Sequence, residues 1–138
     1  GERDSGVMQT AAIGLPDSTV RQLAAYYASL PQPSARAEAI DRVAAARGEA
    51  IARNGLPSHG VPSCLGCHGQ SAAPDYPRLA GQPARYLEGQ LAVWRKGLNY
   101  RSATARIMAP IARRLSEAQS RDLAAYFAGL APAREAAQ

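Results

Sequence analysis

Apolar residues recur along this chain at helical spacing. Val20, Leu23, Tyr27 and Leu30 make one stripe over residues 17–30, three or four positions apart, as an amphipathic helix requires. Asp17 or Ser18 can cap this helix, and the Pro-Gln-Pro run at 31–33 stops it. A second helix is expected over about 34–53, with Ser34 as N-cap, Gly55 just beyond its end, and Ile40, Ala44, Gly48 and Ile51 on one face. A mid-helix glycine such as Gly48 costs about 1 kcal/mol against alanine. Its presence points to a second helix crossing closely. A third helix is expected between Pro83 and Gly97, with Tyr86, Leu87, Gln90, Leu91 and Trp94 on its inner face. The last spans 116–130, where Ser116 and Gln119 have capping-box spacing and Leu123, Phe127 and Leu130 point inward.

Two stretches interrupt this pattern. Residues 56–81 are rich in Pro, Gly and Ser and are expected as loop apart from a short turn near 64–68. Residues 98–114, holding Met108 and Pro110, are expected as a second loop. No alternating run is long enough for a strand, so the fold class expected is all-α. Long loops inside a compact domain usually serve a function.

Composition sharpens this picture. The 138 residues are rich in alanine, which favours helix but fills a core thinly, so a large cofactor would help to fill it. Sixteen Lys and Arg against eleven Asp and Glu give a net charge of +5. The cations are nearly all arginine and are scattered, without the basic block interleaved with aromatics that a nucleic-acid binder shows. A solvated basic face that steers the chain toward an acidic partner fits better. No apolar run reaches the roughly 18 residues of a membrane span. The first residues lack a signal peptide's basic-then-apolar pattern, so an exported form is expected to have lost its leader.

The chemistry concentrates in Cys64-Leu-Gly-Cys67-His68. C-x-x-C-H is a haem-attachment signature. Two thiols one helical turn apart can each add to a vinyl group of one haem, and the histidine after the second thiol lies beneath the porphyrin to bind iron. Two other readings exist. A thioredoxin-like C-x-x-C wants a preceding strand and a βαβ setting. A zinc site would draw on Cys64, Cys67, His68 and His59, the chain's whole supply of these types. For a sixth iron ligand the candidates are Met108, forty residues on, and His59, which lies too near Cys64 to reach the other haem face. A thioether opposite histidine stabilises ferrous iron and closes the site to small ligands.

Residues 36–131 resemble a class I c-type cytochrome, and within that class a cytochrome c4-type domain. The pieces carrying the resemblance are GEAIARNG (48–55), CLGCHG (64–69), YPRLAGQPARYLEGQL (76–91) and MAPIARRLSEAQSRDLAAYFAGL (108–130). It implies a class I cytochrome c fold: helices and long loops wrapped around one covalent haem c. Cys64 and Cys67 would carry the thioethers, and His68 and Met108 would be the axial ligands. The Pro77 carbonyl would accept from His68 Nδ1–H, and Leu79, Tyr86, Leu91 and Trp94 would line the haem pocket. Gly48 would let the first haem-domain helix cross the last near Tyr126 or Phe127. The family often has G-x-R after the third helix; here Asn99 stands at the arginine's place, so Tyr100 or Arg101 is left to meet a propionate. The expected activity is electron transfer with redox-protein partners, in the bacterial periplasm. Two other roles stay open: haem subunit or domain of a larger dehydrogenase or oxidase, and an open-site haem peroxidase or sensor.

An echo runs through the chain at an offset of 100 without gaps. Met8 pairs with Met108, Leu15 with Leu115, Arg21 with Arg121, and LAAY at 23–26 with LAAY at 123–126. Cytochromes c4 being tandem two-haem proteins, residues 1–33 are expected to be the tail of a preceding cytochrome domain plus linker, 34–132 a complete domain, and 133–138 a tail. The extra N-terminal helix is expected to pack on a neighbouring molecule or on the haem domain. Mass spectrometry should then find one haem on this chain, and a haem stain should survive a denaturing gel. Haem lost on denaturation would contradict the thioether reading.

Overall fold

The computed structural model describes residues 7–30, 40–69, 73, 76–97 and 103–131. Among the described residues seven helices follow in chain order: α1 (Val7–Ala12), α2 (Asp17–Ser29), α3 (Arg42–Asn54), α4 (Leu65–His68), α5 (Ala84–Arg95), α6 (Ala103–Arg113) and α7 (Glu117–Gly129), with a 3₁₀ turn at Pro57–His59. Among the described residues there is no strand, only one isolated bridge between Leu56 and Val61.

The frame is the crossing of α3 and α7. Ala44, Gly48, Ile51 and Ala52 are the buried face of α3, and Leu123, Ala124, Tyr126 and Phe127 are the matching face of α7. A Cβ added to Gly48 would run into the backbone carbonyl of Asp122 and lie 3.0 Å from the Leu123 nitrogen. The crossing therefore sits one turn before the Tyr126–Phe127 position expected from the resemblance. It is clamped at its edge: Arg47 Nη2 and Nε donate to the two Asp122 carboxylate oxygens at 2.7 and 2.9 Å. That hydrogen bond holds the Asp122 carboxyl below its ordinary range. The stabilisation it brings is present above the unfolded carboxylate pKa and is lost as pH falls through the lower folded one.

Several helix boundaries differ from the sequence expectation. Asp41, not Ser34, caps α3: its extended backbone lets the carboxylate accept from Val43 and Ala44 N–H at 2.9 and 3.1 Å. Ser34 lies outside the described residues. Pro16 holds the N-cap position of α2, without a side-chain cap from Asp17 or Ser18, and Pro83 is the N-cap of α5, not part of its first turn. The capping box at Ser116 and Gln119 forms as expected.

The largest departure is α6, which runs through the supposed second loop. Pro110 sits inside this helix, although proline normally breaks one. Pro110 and Arg106, whose carbonyl loses its partner, are both exposed, so the loss falls on the solvent side. The opposite side buries Ala109 and Ala112. Gly48→Ala is expected to destabilise the protein by about 1–3 kcal/mol, the usual penalty of overpacking, read as a lower denaturant midpoint of the holoprotein. An unchanged midpoint would contradict the crossing.

Candidate haem site

The walls come from α4 and the turn before it, the loop at 76–82, α5, α6 and α7. The short α4 starts just after Cys64 and ends on His68, whose backbone N–H returns to the Cys64 carbonyl at 2.8 Å. One turn of helix thus brings both thiols and the imidazole to one side of the chain. Ser63 Oγ donates to the Ala52 carbonyl at 3.0 Å, tying this turn to the last turn of α3. Burial pushes the Cys64 thiol up to about 11, so it is a neutral S–H at neutral pH.

His68 is oriented by its neighbours. Its Nδ1 lies 2.8 Å from the Pro77 carbonyl oxygen. A carbonyl can only accept, so Nδ1 carries the proton and Nε2 keeps its lone pair for a metal. The Tyr76 ring stands edge-on to the imidazole, centroids 6.2 Å apart. The loop that supplies Pro77 is itself fastened: Gly81 N–H donates to the Phe127 carbonyl of α7 at 2.9 Å, with Gly81 in the left-handed region at φ +76°.

These parts surround a cavity of about 330 Å³, within the range of cofactor sites. His68 and Pro77 line it from the α4 side and Met108 from α6. Leu79, Tyr86, Leu87, Leu91 and Trp94 come from the loop and α5, and Leu123, Ala124 and Phe127 from α7. A smaller apolar cavity beside it is lined by Cys64 and Cys67, again with His68 and Met108. Arg114, just past α6, donates from Nη1 to the Gly60 carbonyl at 2.8 Å, which links the methionine helix to the turn preceding the cysteines.

Nine of the ten site residues expected from sequence therefore meet around the two cavities: Cys64, Cys67, His68, Pro77, Leu79, Tyr86, Leu91, Trp94 and Met108. Arg101 lies outside the described residues, as do Asn99 and Tyr100. His59 does not join them. It is exposed on the 3₁₀ turn with Nδ1 3.1 Å from Ser58 Oγ. All four Cys and His residues are described, and among the described residues no three His, Cys, Asp or Glu side chains come together to hold a metal ion. The zinc alternative thus lacks its ligand set. The sequence reading did not assign Arg78, Gln82, Leu123, Ala124 or Phe127 to the lining. The inward stripe of the last helix was the available signal for Leu123 and Phe127; Arg78, Gln82 and Ala124 lie within the stretches 76–91 and 108–130 that carry the resemblance, but nothing in those stretches singles out their side chains as lining.

The lining suits a haem: apolar walls for the macrocycle, an imidazole nitrogen and a thioether for iron, and two thiols beside them. Comparison with known proteins points the same way. The family model described as Cytochrome c matches residues 45–131. The chain is 33% identical over 141 residues to the thiosulfate dehydrogenase electron acceptor of Thiomonas intermedia, matching 99% of this chain and 64% of that protein. It thus spans less than two thirds of this relative's length. Among solved structures, the reduced recombinant cytochrome c4 from Pseudomonas stutzeri superposes with a TM-score of 0.78 at 30% identity, over 94% of this chain and 68% of that one. Thiosulfate dehydrogenase (TsdBA) from Marichromatium purpuratum gives 0.77 at 38% identity, over 95% of this chain but only 28% of that one.

Trp94, the chain's single tryptophan, lines the cavity. A haem seated against it quenches its emission by energy transfer. Fluorescence should be weak in the native holoprotein and rise several-fold in denaturant, where the tethered haem leaves the ring. Bright native emission would contradict this placement.

Proposed function

The chain belongs to the cytochrome c family, as a class I c-type cytochrome of c4-like kind, and on that premise we propose that it is a periplasmic electron carrier ligating its haem iron through His68 and Met108. It is an electron-transfer protein with one covalent haem c. The haem, when bound, supplies the one-electron Fe(III)/Fe(II) couple. The chain's own residues do the rest. Cys64 and Cys67 would tether the cofactor, His68 would offer Nε2 to iron with its ring fixed by Pro77, and Met108 would offer its thioether sulfur. The apolar lining keeps water out and so favours the form of lower charge. The observation carrying this reading is that His68, its Nδ1 committed to Pro77, shares both cavities with Met108.

The N-terminal segment supports a longer parent chain, in which residues 1–33 end one cytochrome domain and 34–132 form the next. The two copies of the repeat have opposite surroundings. Leu115, Leu123 and Phe127 are 4% exposed, while their counterparts Leu15, Leu23 and Tyr27 are 41%, 43% and 66% exposed. α2 buries none of its residues. The same apolar pattern is core in one copy and surface in the other, as expected of a domain tail without its partner helix. The extended patch is of the kind that binds protein, and a neighbouring molecule is its proposed cover in the isolated chain.

A thiosulfate dehydrogenase-like enzyme is the proposed electron donor, since one relative is named as the acceptor for such an enzyme. Two haem carboxylates bring the net charge from +5 to about +3, which still favours an acidic docking face. A second reading, a haem domain built into a dehydrogenase, is favoured by the match to 28% of the thiosulfate dehydrogenase chain. Co-purification with a catalytic subunit is the expected sign of that arrangement. No described helix is long and apolar enough to cross a membrane.

Met108→Ala tests the ligand pair. The ferric wild type should show the weak red band of methionine–iron bonding; the variant should lose it, fall in reduction potential, and bind carbon monoxide rapidly when reduced. A wild type without the band, or a variant that keeps it, overturns Met108 as ligand.

A further inference from the structure

We propose that Arg78 is the cationic partner of a haem propionate. This rests on the reading that the haem occupies the main cavity. A haem carries two carboxylates into a site whose walls are otherwise apolar or neutral. Burying a carboxylate without a partner is costly, so the site needs a cation within reach. Among the described lining residues Arg78 is the only lysine or arginine.

Arg78 is also available. Asp122 takes Arg47, Glu49 takes Arg53, Glu117 takes Arg95, and the Gly60 carbonyl takes Arg114. Arg78 has no ion-pair or hydrogen-bond partner among the described residues, and it is exposed, which places its guanidinium at the cavity's edge. Its backbone position is fixed from both sides. Pro77 before it accepts from His68. After it, Gln82 N–H donates to the Leu79 carbonyl at 3.1 Å and Gly81 N–H to α7. A planar guanidinium offers paired N–H donors that match a carboxylate. Gln82 and Tyr86 line the same cavity and can add neutral donors beside it.

The electrostatic consequence is specific. The Arg78 charge neutralises a propionate and, being positive, disfavours ferric iron, so it raises the reduction potential. Because Arg78 adjoins the residue that orients His68, the same contact ties the propionate edge of the haem to its proximal ligand.

The test compares Arg78→Gln, Arg78→Lys and Arg85→Gln in the purified holoprotein by redox titration at fixed pH and salt. Arg85 is exposed on the first turn of α5 and absent from the lining, so it controls for loss of one charge. Arg78→Gln should lower the ferrous-to-ferric ratio at a fixed applied potential by roughly three- to tenfold, tenfold being about 59 mV for one electron. Arg78→Lys should retain most of the wild-type ratio, and Arg85→Gln should change it less than about twofold. Equal shifts in Arg78→Gln and Arg85→Gln, or none in the former, overturn the proposal. If Arg78→Gln does not accumulate, redox-difference infrared spectra carry the test. The propionate carboxylate bands should shift in Arg78→Lys and not in Arg85→Lys, and unshifted bands overturn it. A wild type lacking the methionine–iron band sinks the ligand pair instead and leaves these comparisons readable.

Discussion

The rest of the structure depends on how closely α3 and α7 cross. Gly48 has no side chain where the Asp122 carbonyl passes, and backbone contact at that point draws two segments seventy-four residues apart into one frame. α7 then presents Leu123, Ala124 and Phe127 as a wall, and α5 packs against it. The carbonyl of Phe127 fastens Gly81, and through that loop Pro77 meets His68. The end of α3 fastens the cysteine turn through Ala52 and Ser63. A thinly filled, alanine-rich core can hold a precise site because its few tight contacts are backbone contacts, which bend little.

Much of this was legible in the sequence because it is local. The C-x-x-C-H spacing, the capping box of α7, the stripe of α5 and the glycine of a close crossing each state their structure within a few residues. What was misread depends on surroundings. Pro110 marked a loop by its own chemistry, yet α6 continues through it because the missing hydrogen bond faces solvent while Ala109 and Ala112 are buried. Asp41 caps α3 with its carboxylate, and its own capping chemistry was as legible in the sequence as that of Ser34. Arg78 lies within the 76–91 stretch, yet nothing in that stretch marks its charge as functional; the shape of the cavity makes it the charged residue of the lining.

The repeat adds a lesson about partnership. LAAY at 23–26 and LAAY at 123–126 have the same intrinsic preference and both become helix. One is buried because α3 lies across it, and the other is exposed. Helix formation here follows from local sequence, while burial follows from what the rest of the chain supplies.

In the proposed coordination, one nitrogen from His68 and one sulfur from Met108 complete the iron's ligand set. Iron K-edge X-ray absorption of the purified ferric holoprotein measures this most directly. The expected first shell holds one sulfur scatterer at bonding distance together with five nitrogens, four from the porphyrin and one from the imidazole. A first shell with no sulfur, or one completed by a light atom such as water oxygen, would contradict it.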